Sequence, residues 1–439
     1  MQSNIVVETQ TQPAFDWRAQ LSPTKLNAIP GRYFFGRRHS HPKQPREPSP
    51  QKGIAALQTS FRITDSFESL RTRKWSVFDV QYAVLASLTI FSIWIIEPSS
   101  PVIKILVSLG YTTLLFMPVT RQFFLPSWPI WAYLLYFFSS RFIPYDVRPD
   151  ILVKVLPALE DILYGTNFSN KFSAWTHPVL DVIAWFPYGI GHFGLPAVCS
   201  ALMFIFGAPG TVPMFAKSFG WMSALGVTMQ LLLPCTPPWY ERLHGLEPAK
   251  YGMQGSPAGL ARIDALFGVD MYTTSFTTAP VPFGAFPSLH AADAILEALF
   301  MSYCFPRLRA FCTFYVCWIC WATMYLNHHY AVDLLGGGII AFCIFFVVRK
   351  FWLPVPQPDK KYRWEYEFVE VGEKKKVADE EEGGGYADLS GRPARKRGDY
   401  ELVDDFSIRS SFGLDSGLSS GSSSGPSSPR SSRSERRSY

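Results

Sequence analysis

Long apolar runs alternate with short polar segments through the middle of this chain. Eight runs of roughly 17 to 25 residues are long enough to cross the ~30 Å hydrocarbon core of a bilayer as helices. They lie near residues 78–97, 102–119, 123–140, 182–207, 213–233, 288–305, 309–327 and 331–352. This pattern predicts an all-α, polytopic membrane protein with about eight transmembrane helices. Prolines interrupt two of the runs, so we expect a break at Pro126 and Pro129, and a kink or re-entrant stretch between Pro187 and Pro196.

Polar and charged residues are concentrated at the two ends of the chain. Of the 439 residues, 48% are hydrophobic and only 17% are charged, and most of the charge precedes the first apolar run or follows the last. Such end segments bury too little apolar surface to offset the entropy lost on ordering. We therefore predict a basic, largely disordered cytosolic region over residues 1–75, a transmembrane domain carrying the chemistry over residues 76–352, and a disordered cytosolic tail over residues 353–439.

The positions of the basic residues predict the topology. A net charge of +6 suits nucleic acid or acidic lipid, but basic side chains flank the first and last apolar runs, as at Arg73, Arg349 and Lys350. Basic residues next to membrane spans favour the cytosolic side. We therefore expect a bilayer protein with both termini in the cytosol and no nucleic-acid partner. The loops on the lumenal side are then residues 141–181, 234–287 and 327–330.

Two short histidine-containing segments stand at opposite ends of one apolar hairpin. The first ends at His290, the second contains His328, His329 and Asp333, and a polar turn over residues 306–309 divides the hairpin. Each arm is ~22 to 26 Å long at ~1.5 Å per residue, so the chain returns to the membrane face from which it started. The two segments are therefore predicted to converge at the lumenal face.

The converging side chains suit transfer of a phosphoryl-type group through histidine. His329 is the predicted nucleophile, because Asp333 lies four residues later on the same helix face and can hold one ring nitrogen protonated. His290 is the predicted acid for the leaving oxygen, and then the base for the incoming hydroxyl. Ionisable groups within or beside membrane helices are costly, which favours a catalytic role over simple packing.

The residues around these three leave alternatives open. Asp293, one turn after His290, is a second carboxylate that could orient that ring. His328 is predicted to contact substrate or the membrane interface, and His192 to hydrogen-bond within the helix bundle. Ser288 is better placed as a helix cap with its N–H free for phosphate than as a nucleophile. Two histidines and an aspartate could hold zinc, although so few carboxylates favour chemistry without a metal or other cofactor.

The Pro-Ser-x-His and His-x-x-x-Asp elements resemble the second and third motifs of the type 2 phosphatidic acid phosphatase superfamily. More narrowly, residues 70–352 are similar to fungal inositol phosphorylceramide synthase catalytic subunits, through the strings at 157–165, 234–240, 283–290 and 327–330. The resemblance implies a phosphatidic-acid-phosphatase-like helical core and a phosphohistidine-type intermediate. It also implies transfer of phosphoinositol from phosphatidylinositol to the primary hydroxyl of ceramide, with diacylglycerol as the second product.

Cellular context follows only from the same resemblance. It implies a Golgi membrane protein of sphingolipid biosynthesis, accompanied by a small membrane-embedded regulatory subunit.

The sequence departs from the superfamily pattern where that pattern supplies basic residues. The first motif, a lysine followed seven residues later by Arg-Pro, has no convincing copy, and Ala322-Thr323 replaces the Ser-Arg pair before the third motif. Fewer guanidinium contacts suit a phosphodiester, which carries one negative charge, better than a monoester with nearly two. The departure therefore favours transfer between lipids over removal of phosphate by water.

Other residues must then contact the substrate. Lumenal basic residues are candidates for the phosphate contacts, including Lys154 and Arg262, and bulky aromatic residues are candidates for excluding water. The predicted substrate-binding residues are Ser288, His328, Arg242, Lys250, Trp239 and Tyr240.

Three other functions remain open at this point. A lipid phosphate phosphatase would use water in place of ceramide. A sphingomyelin-synthase-like transferase would use a choline head group. A non-catalytic transporter or lipid-binding protein would instead show a continuous polar path along several helices.

Overall fold

The computed structural model describes residues 54–73, 75–97 and 99–372. Within these residues the structure is helical, with isolated β-bridges and no strand, so the all-α prediction is confirmed for this part of the chain. In chain order the helices are α1 Ile63–Arg71, α2 Val80–Ile95, α3 Pro101–Phe116, α4 Pro118–Ser139, α5 Val155–Tyr164, α6 Phe168–Ser173, α7 Pro178–Trp185, α8 His192–Phe206, α9 Thr211–Leu232, α10 Pro238–His244, α11 Ala261–Phe267, α12 Tyr272–Thr277, α13 Leu289–Cys304, α14 Arg309–Tyr325 and α15 Ala331–Phe351.

Each of the eight predicted apolar runs is helical in the structure. Three continuous helical segments are long and apolar enough to cross a membrane, namely Val77–Ile95, Pro178–Phe206 and Ala331–Phe351. Helices α3 and α4 meet these criteria only together, and they join at a bend of 107°. The described residues therefore show three candidate spans by length and composition, or four if the bent pair is one span. The total of eight stays a prediction.

The bend between α3 and α4 lies earlier than the predicted break. Met117 is extended, and α4 begins at Pro118 and then continues through Pro126 and Pro129, so the break predicted at those two prolines is wrong. Close packing against α9 supports the helix there. A Cβ atom on Gly220 of α9 would lie 2.4 Å from the backbone carbonyl carbon of Pro129, an approach that only glycine allows.

The irregular stretch predicted between Pro187 and Pro196 is present. A π-helical segment, Phe186–Gly191, joins α7 to α8 within the long span. Such segments re-aim the side chains around them and are frequent at functional sites. Here the segment brings side chains toward the start of α13.

Helix α13 lies at the centre of the bundle. It packs against α14 and α15 on one side and against α8 and α9 on the other. Its inward side chains, Leu296 and Phe300, are fully buried beside Phe215 and Met222 of α9. A 3₁₀ turn, Pro306–Leu308, connects α13 to α14. Helix α14 runs back along α13, so its C-terminal end lies near the start of α13. The predicted hairpin is therefore confirmed.

The outer surface of the bundle is apolar. Large side chains such as Ile90, Trp94, Leu106 and Phe193 are more than half exposed. Apolar surface of this extent suits contact with lipid rather than water. The helices and this surface together make the chain a multi-pass membrane protein.

Parts of both predicted tails pack against other described residues. Helix α1 lies in the N-terminal region. After α15, Tyr366 and Val369 are buried in a small cluster with Ala208, against which Ile54 packs. The remainder of both predicted tails lies outside the described residues.

Candidate active site

His290, His329 and Asp333 form one line of contacts at the open end of the hairpin. The Nδ1 atom of His290 lies 3.1 Å from the Nε2 atom of His329, and the Nδ1 atom of His329 lies 3.2 Å from Oδ2 of Asp333. A carboxylate only accepts hydrogen bonds, so Nδ1 of His329 carries the proton and Nε2 keeps its lone pair. The proton in the bond between the two rings then belongs to His290. This arrangement places an unprotonated ring nitrogen of His329 directly beside a ring N–H of His290.

A turn rather than a helix positions His329. Helix α15 begins at Ala331, so Asp333 is in its first turn while His329 precedes it, which corrects the expectation that both lie on one helix face. The backbone N–H groups of His328 and His329 both donate to the carbonyl of Thr323, at 3.0 and 3.4 Å. These bonds fold the chain sharply at the end of α14 and set the His329 ring onto Asp333.

Glu160 of α5 caps the helix that carries Asp333. Its carboxylate accepts from the N–H groups of Ala331 at 3.2 Å and Val332 at 3.0 Å, and its side chain is fully buried. A negative charge at a helix N-terminus satisfies free N–H groups and interacts favourably with the helix dipole. This role was not predicted, because Glu160 and Ala331 are 171 residues apart in sequence.

Ser288 caps α13, but its N–H is not free for phosphate. The hydroxyl accepts from the N–H of Ala291 at 3.4 Å, as a capping serine does. The backbone N–H of Ser288 donates to the carbonyl of Asp333 at 3.0 Å. This bond ties the start of α13 to α15, and it differs from the prediction that the N–H would bind substrate.

Two aromatic side chains near the π-helical segment hold His290. The Tyr188 ring stacks on His290 with 4.4 Å between centroids, and His192, the first residue of α8, packs on it at 4.5 Å. The Nδ1 atom of His192 also lies 4.0 Å from Oδ2 of Asp293, whose Oδ1 lies 3.5 Å from the Ser223 hydroxyl. His192 therefore belongs to the site, which the sequence did not predict. The clustered prolines and glycines around it were the available signal.

His328 lies beside His290 and His329 and is oriented by a backbone carbonyl. Its Nε2–H donates to the carbonyl of Pro257 at 3.1 Å, and its ring packs on Phe276. Burial, with a smaller contribution from the nearby His329, lowers the pKa of His328 to about 3. The ring is consequently neutral at physiological pH and offers shape and hydrogen bonding rather than charge.

A cavity of about 330 Å³ lies against the histidines. Trp239, almost completely buried, lines it, and so does Phe193, which is 75% exposed. The cavity thus opens on the apolar outer surface. None of the described residues that line it is a lysine or an arginine. The other lining residues include Tyr133, Leu134, Phe137, Tyr188, His192, Gln230, Pro237, His290, His328 and His329.

The remaining predicted substrate-binding residues lie away from this cavity. Arg242 and Lys250 are exposed and are not among its described lining residues. Tyr240 is buried, and its hydroxyl donates to the carbonyl of Glu247 at 3.2 Å. Of the six residues predicted to bind substrate, the structure therefore places Trp239 and His328 at the cavity.

The two further basic candidates have other surroundings. Arg262 forms an ion pair with Asp181 at 2.8 Å, and the same carboxylate accepts from the Tyr325 hydroxyl at 2.7 Å, which ties α7, α11 and α14 together. Lys154 is exposed at the start of α5. Among the described residues, no group of three or more His, Cys, Asp or Glu side chains is arranged to hold a metal ion.

Comparison with known proteins identifies the family. The model of the PAP2 superfamily matches residues 161–347, which include both histidine segments. The chain is 50% identical to the inositol phosphorylceramide synthase catalytic subunit of Schizosaccharomyces pombe over 71% of this chain and 74% of that protein. It is 43% identical to the inositol phosphorylceramide synthase of Candida albicans over 74% of this chain and 69% of that protein.

A bacterial protein extends the similarity. The phosphoinositol dihydroceramide synthase of Bacteroides thetaiotaomicron is 28% identical over 44% of this chain and 65% of that protein. No solved structure matches the chain significantly. From the two fungal relatives, the chain belongs to the inositol phosphorylceramide synthase family, within the PAP2 superfamily.

Proposed function

We propose that this chain transfers phosphoinositol from phosphatidylinositol to the primary hydroxyl of ceramide, through a covalent intermediate on His329. The products are inositol phosphorylceramide and diacylglycerol. The observation that carries the proposal is the line of contacts from His290 through His329 to Asp333 at a cavity open to the apolar surface. The printed names of the fungal relatives support the choice of reaction.

In the first step, Nε2 of His329 attacks the phosphorus of phosphatidylinositol. The bond between phosphorus and the diacylglycerol oxygen breaks, and His290, which enters this step protonated on both ring nitrogens, gives that oxygen one proton and is left as a neutral imidazole, so diacylglycerol leaves as a neutral alcohol. Asp333 holds the Nδ1 proton of His329 throughout and stabilises the charge that develops on the ring.

In the second step, ceramide replaces diacylglycerol. His290, now deprotonated, accepts the proton of the ceramide hydroxyl while its oxygen attacks phosphorus and the bond to His329 breaks. His290 is then protonated again, and Nε2 of His329 is free again. The same site therefore serves both halves of the exchange.

The contact between the two imidazoles must open when substrate enters. Attack along the line opposite the leaving oxygen requires phosphorus to lie between the nucleophilic nitrogen and the acid. That position is occupied by the 3.1 Å hydrogen bond between His290 and His329. When the phosphate group enters, the hydrogen bond between His290 and His329 is lost, and both rings contact the substrate instead.

The charge of the cavity favours a phosphodiester. With no lysine or arginine among its described lining residues, the cavity offers little to offset the near two negative charges of a phosphomonoester. A phosphodiester carries one charge. This favours exchange between lipids over a lipid phosphate phosphatase reaction.

The shape of the cavity suits substrates that stay in the bilayer. Leu134, Phe137 and Phe193 line its outer side, where acyl chains remain in lipid, while the buried Trp239 covers the inner part. Excluding water from the inner part protects the intermediate from hydrolysis. Ceramide is then the acceptor that reaches it.

The topology of the proposal follows from α15. This helix has 21 residues and so is ~31 Å long, about one bilayer thickness, with Asp333 at one end and Arg349 and Lys350 at the other. Basic residues favour the cytosolic side, so the site faces the lumen. The proposal keeps the eight crossings that the apolar runs predict. We place it in the Golgi membrane with a small membrane-embedded subunit. The name "catalytic subunit" of a fungal relative supports a partner.

The test is a reconstituted reaction with both lipids. Purified protein in vesicles should release more than one equivalent of diacylglycerol from phosphatidylinositol only when ceramide is present, and should then form inositol phosphorylceramide at the same rate as diacylglycerol. Release of free phosphate from phosphatidic acid, without a ceramide-dependent reaction, would show a phosphatase instead. Transfer from phosphatidylcholine in preference to phosphatidylinositol would show the sphingomyelin-synthase-like activity.

A further inference from the structure

A second cavity adjoins the histidine cavity. Its volume is about 310 Å³, and Gly255, Ala279 and Pro282 line both cavities. The histidine cavity offers acyl chains an apolar opening, but a polar head group on the same phosphorus needs a polar space within a few ångströms. The second cavity is the polar space next to it.

We infer that this second cavity holds the polyol ring of the phospholipid donor, an inference that rests on the proposed function. Its polar side chains include Arg141, Gln254, Thr277 and Thr278, beside Arg148, Tyr145 and Tyr251. The structure thus assigns these residues to selection of the head group, separately from the histidines that carry the reaction.

The two threonines present acceptors to the cavity. The hydroxyl of Thr277 donates to the carbonyl of Thr273 at 2.8 Å, and that of Thr278 donates to the carbonyl of Thr274 at 2.9 Å. Because each hydroxyl proton is used within α12 or at its end, the remaining lone pairs face outward as acceptors. A ring with several hydroxyl groups supplies the matching donors.

Gln254 and Arg141 supply the complementary donors. The amide of Gln254 donates and accepts, while a guanidinium only donates. Arg141 lies at the cavity with its guanidinium carbon 4.7 Å from the Phe138 ring. Together with the threonine oxygens, these groups match adjacent hydroxyls, each of which both donates and accepts.

The charge of the cavity distinguishes a polyol from a cationic head group. Arg148 also lines it, held by the carbonyls of Ser140 and Ile143, with its guanidinium carbon 5.0 Å from the ring centroids of Tyr145 and Tyr251. None of the described residues that line this cavity is acidic. The positive charge of choline would therefore be repelled by two cations with no counter-charge nearby. A neutral ring in the same place would not be repelled.

The experiment measures donor selectivity in vesicles. Phosphatidylinositol, phosphatidylglycerol and phosphatidylcholine are each supplied with ceramide to the full chain and to Arg141→Gln, Gln254→Leu and Thr277→Val. We expect each variant to raise KM for phosphatidylinositol about tenfold, because each removes one hydrogen bond to the head group. KM for ceramide should stay unchanged, and the preference for phosphatidylinositol over phosphatidylglycerol should fall.

Matched controls come from the same region. Thr274→Val changes an exposed threonine of α12 outside both cavities, and Lys171→Gln removes an exposed cation of α6; both should behave as the unaltered chain. Variants that keep KM for phosphatidylinositol and the donor preference would overturn the inference. So would a general loss of rate with unchanged preference. Failure of the unaltered chain to act on phosphatidylinositol would instead overturn the proposed function.

Discussion

The Nδ1 atom of His290 and the Nε2 atom of His329 contact each other directly at 3.1 Å, although the two residues come from opposite ends of a helical hairpin. Because Asp333 fixes the proton on the far nitrogen of His329, the hydrogen bond between the rings has only one direction. The geometry thereby leaves Nε2 of His329 unprotonated and places a ring N–H of His290 beside it.

Replacing Asp333 should slow chemistry without weakening lipid binding. In Asp333→Asn the side chain can donate to Nδ1 of His329, which favours the tautomer whose Nε2 carries a proton and cannot attack. We expect kcat to fall by about 10⁴-fold, as for other aspartates that orient a catalytic histidine, with KM for both lipids little changed. Asp270→Asn, an exposed aspartate, is the control. A large rise in KM with kcat maintained would contradict the orienting role.

Glu160 should contribute to stability through the start of α15. Glu160→Ala leaves the N–H groups of Ala331 and Val332 without their acceptor in a buried position, which costs about 1–3 kcal/mol for an unsatisfied group. The Tm of the detergent-purified protein should fall, whereas Glu247→Ala, at an exposed glutamate, should leave it unchanged. Equal Tm values for the two variants would show that the cap is not important.

His192 should act through packing on His290. His192→Phe keeps a ring at this position and should retain activity within about twofold, while His192→Ala should lower kcat about fivefold through loss of a ring contact of about 1 kcal/mol. Steady-state rates at saturating lipid measure both. If the phenylalanine variant is as inactive as a variant of His329, the His192 imidazole takes part in proton transfer and the packing role is wrong.

Trp239 should keep water from the intermediate. Trp239→Ala opens the inner side of the histidine cavity, so free inositol phosphate should form at the expense of inositol phosphorylceramide. The ratio of free inositol phosphate to inositol phosphorylceramide, followed with head-group-labelled phosphatidylinositol, should rise several-fold. Trp175→Ala, at a tryptophan that is 82% exposed, should leave the ratio unchanged. An unchanged ratio in Trp239→Ala would assign water exclusion to other residues.

The helices and the meeting of the two histidine segments could be predicted because both depend on local pattern. Apolar runs of membrane length fix the helices, and a short turn at 306–309 forces the ends of α13 and α14 together. From those facts alone, His290 and His329 had to lie close to each other.

Other parts of the site depend on contacts distant in sequence or on backbone detail. Glu160 reaches Ala331 across 171 residues, and no periodicity indicates that pairing. The prolines and glycines predicted an irregular stretch at the π-helical segment, but the packing of His192 on His290 depends on tertiary contacts that they do not indicate. The chain bends at Pro118 and not at Pro126, since Gly220 lets α9 support the helix through the later prolines. The partners of Arg262 and the exposed positions of Arg242 and Lys250 were likewise fixed by tertiary structure.

The central claim is that phosphoinositol passes through His329, and a trapping experiment tests it most directly. The chain is mixed with phosphatidylinositol labelled in its phosphate, without ceramide, and denatured within a single turnover. The account predicts label on the protein that is stable to alkali and lost in acid, as a phosphorus–nitrogen bond requires. The label should be absent from His329→Ala and should pass to ceramide when this lipid is added. A chain that turns over fully but never carries such label, or that carries it equally after His329→Ala, would contradict the account.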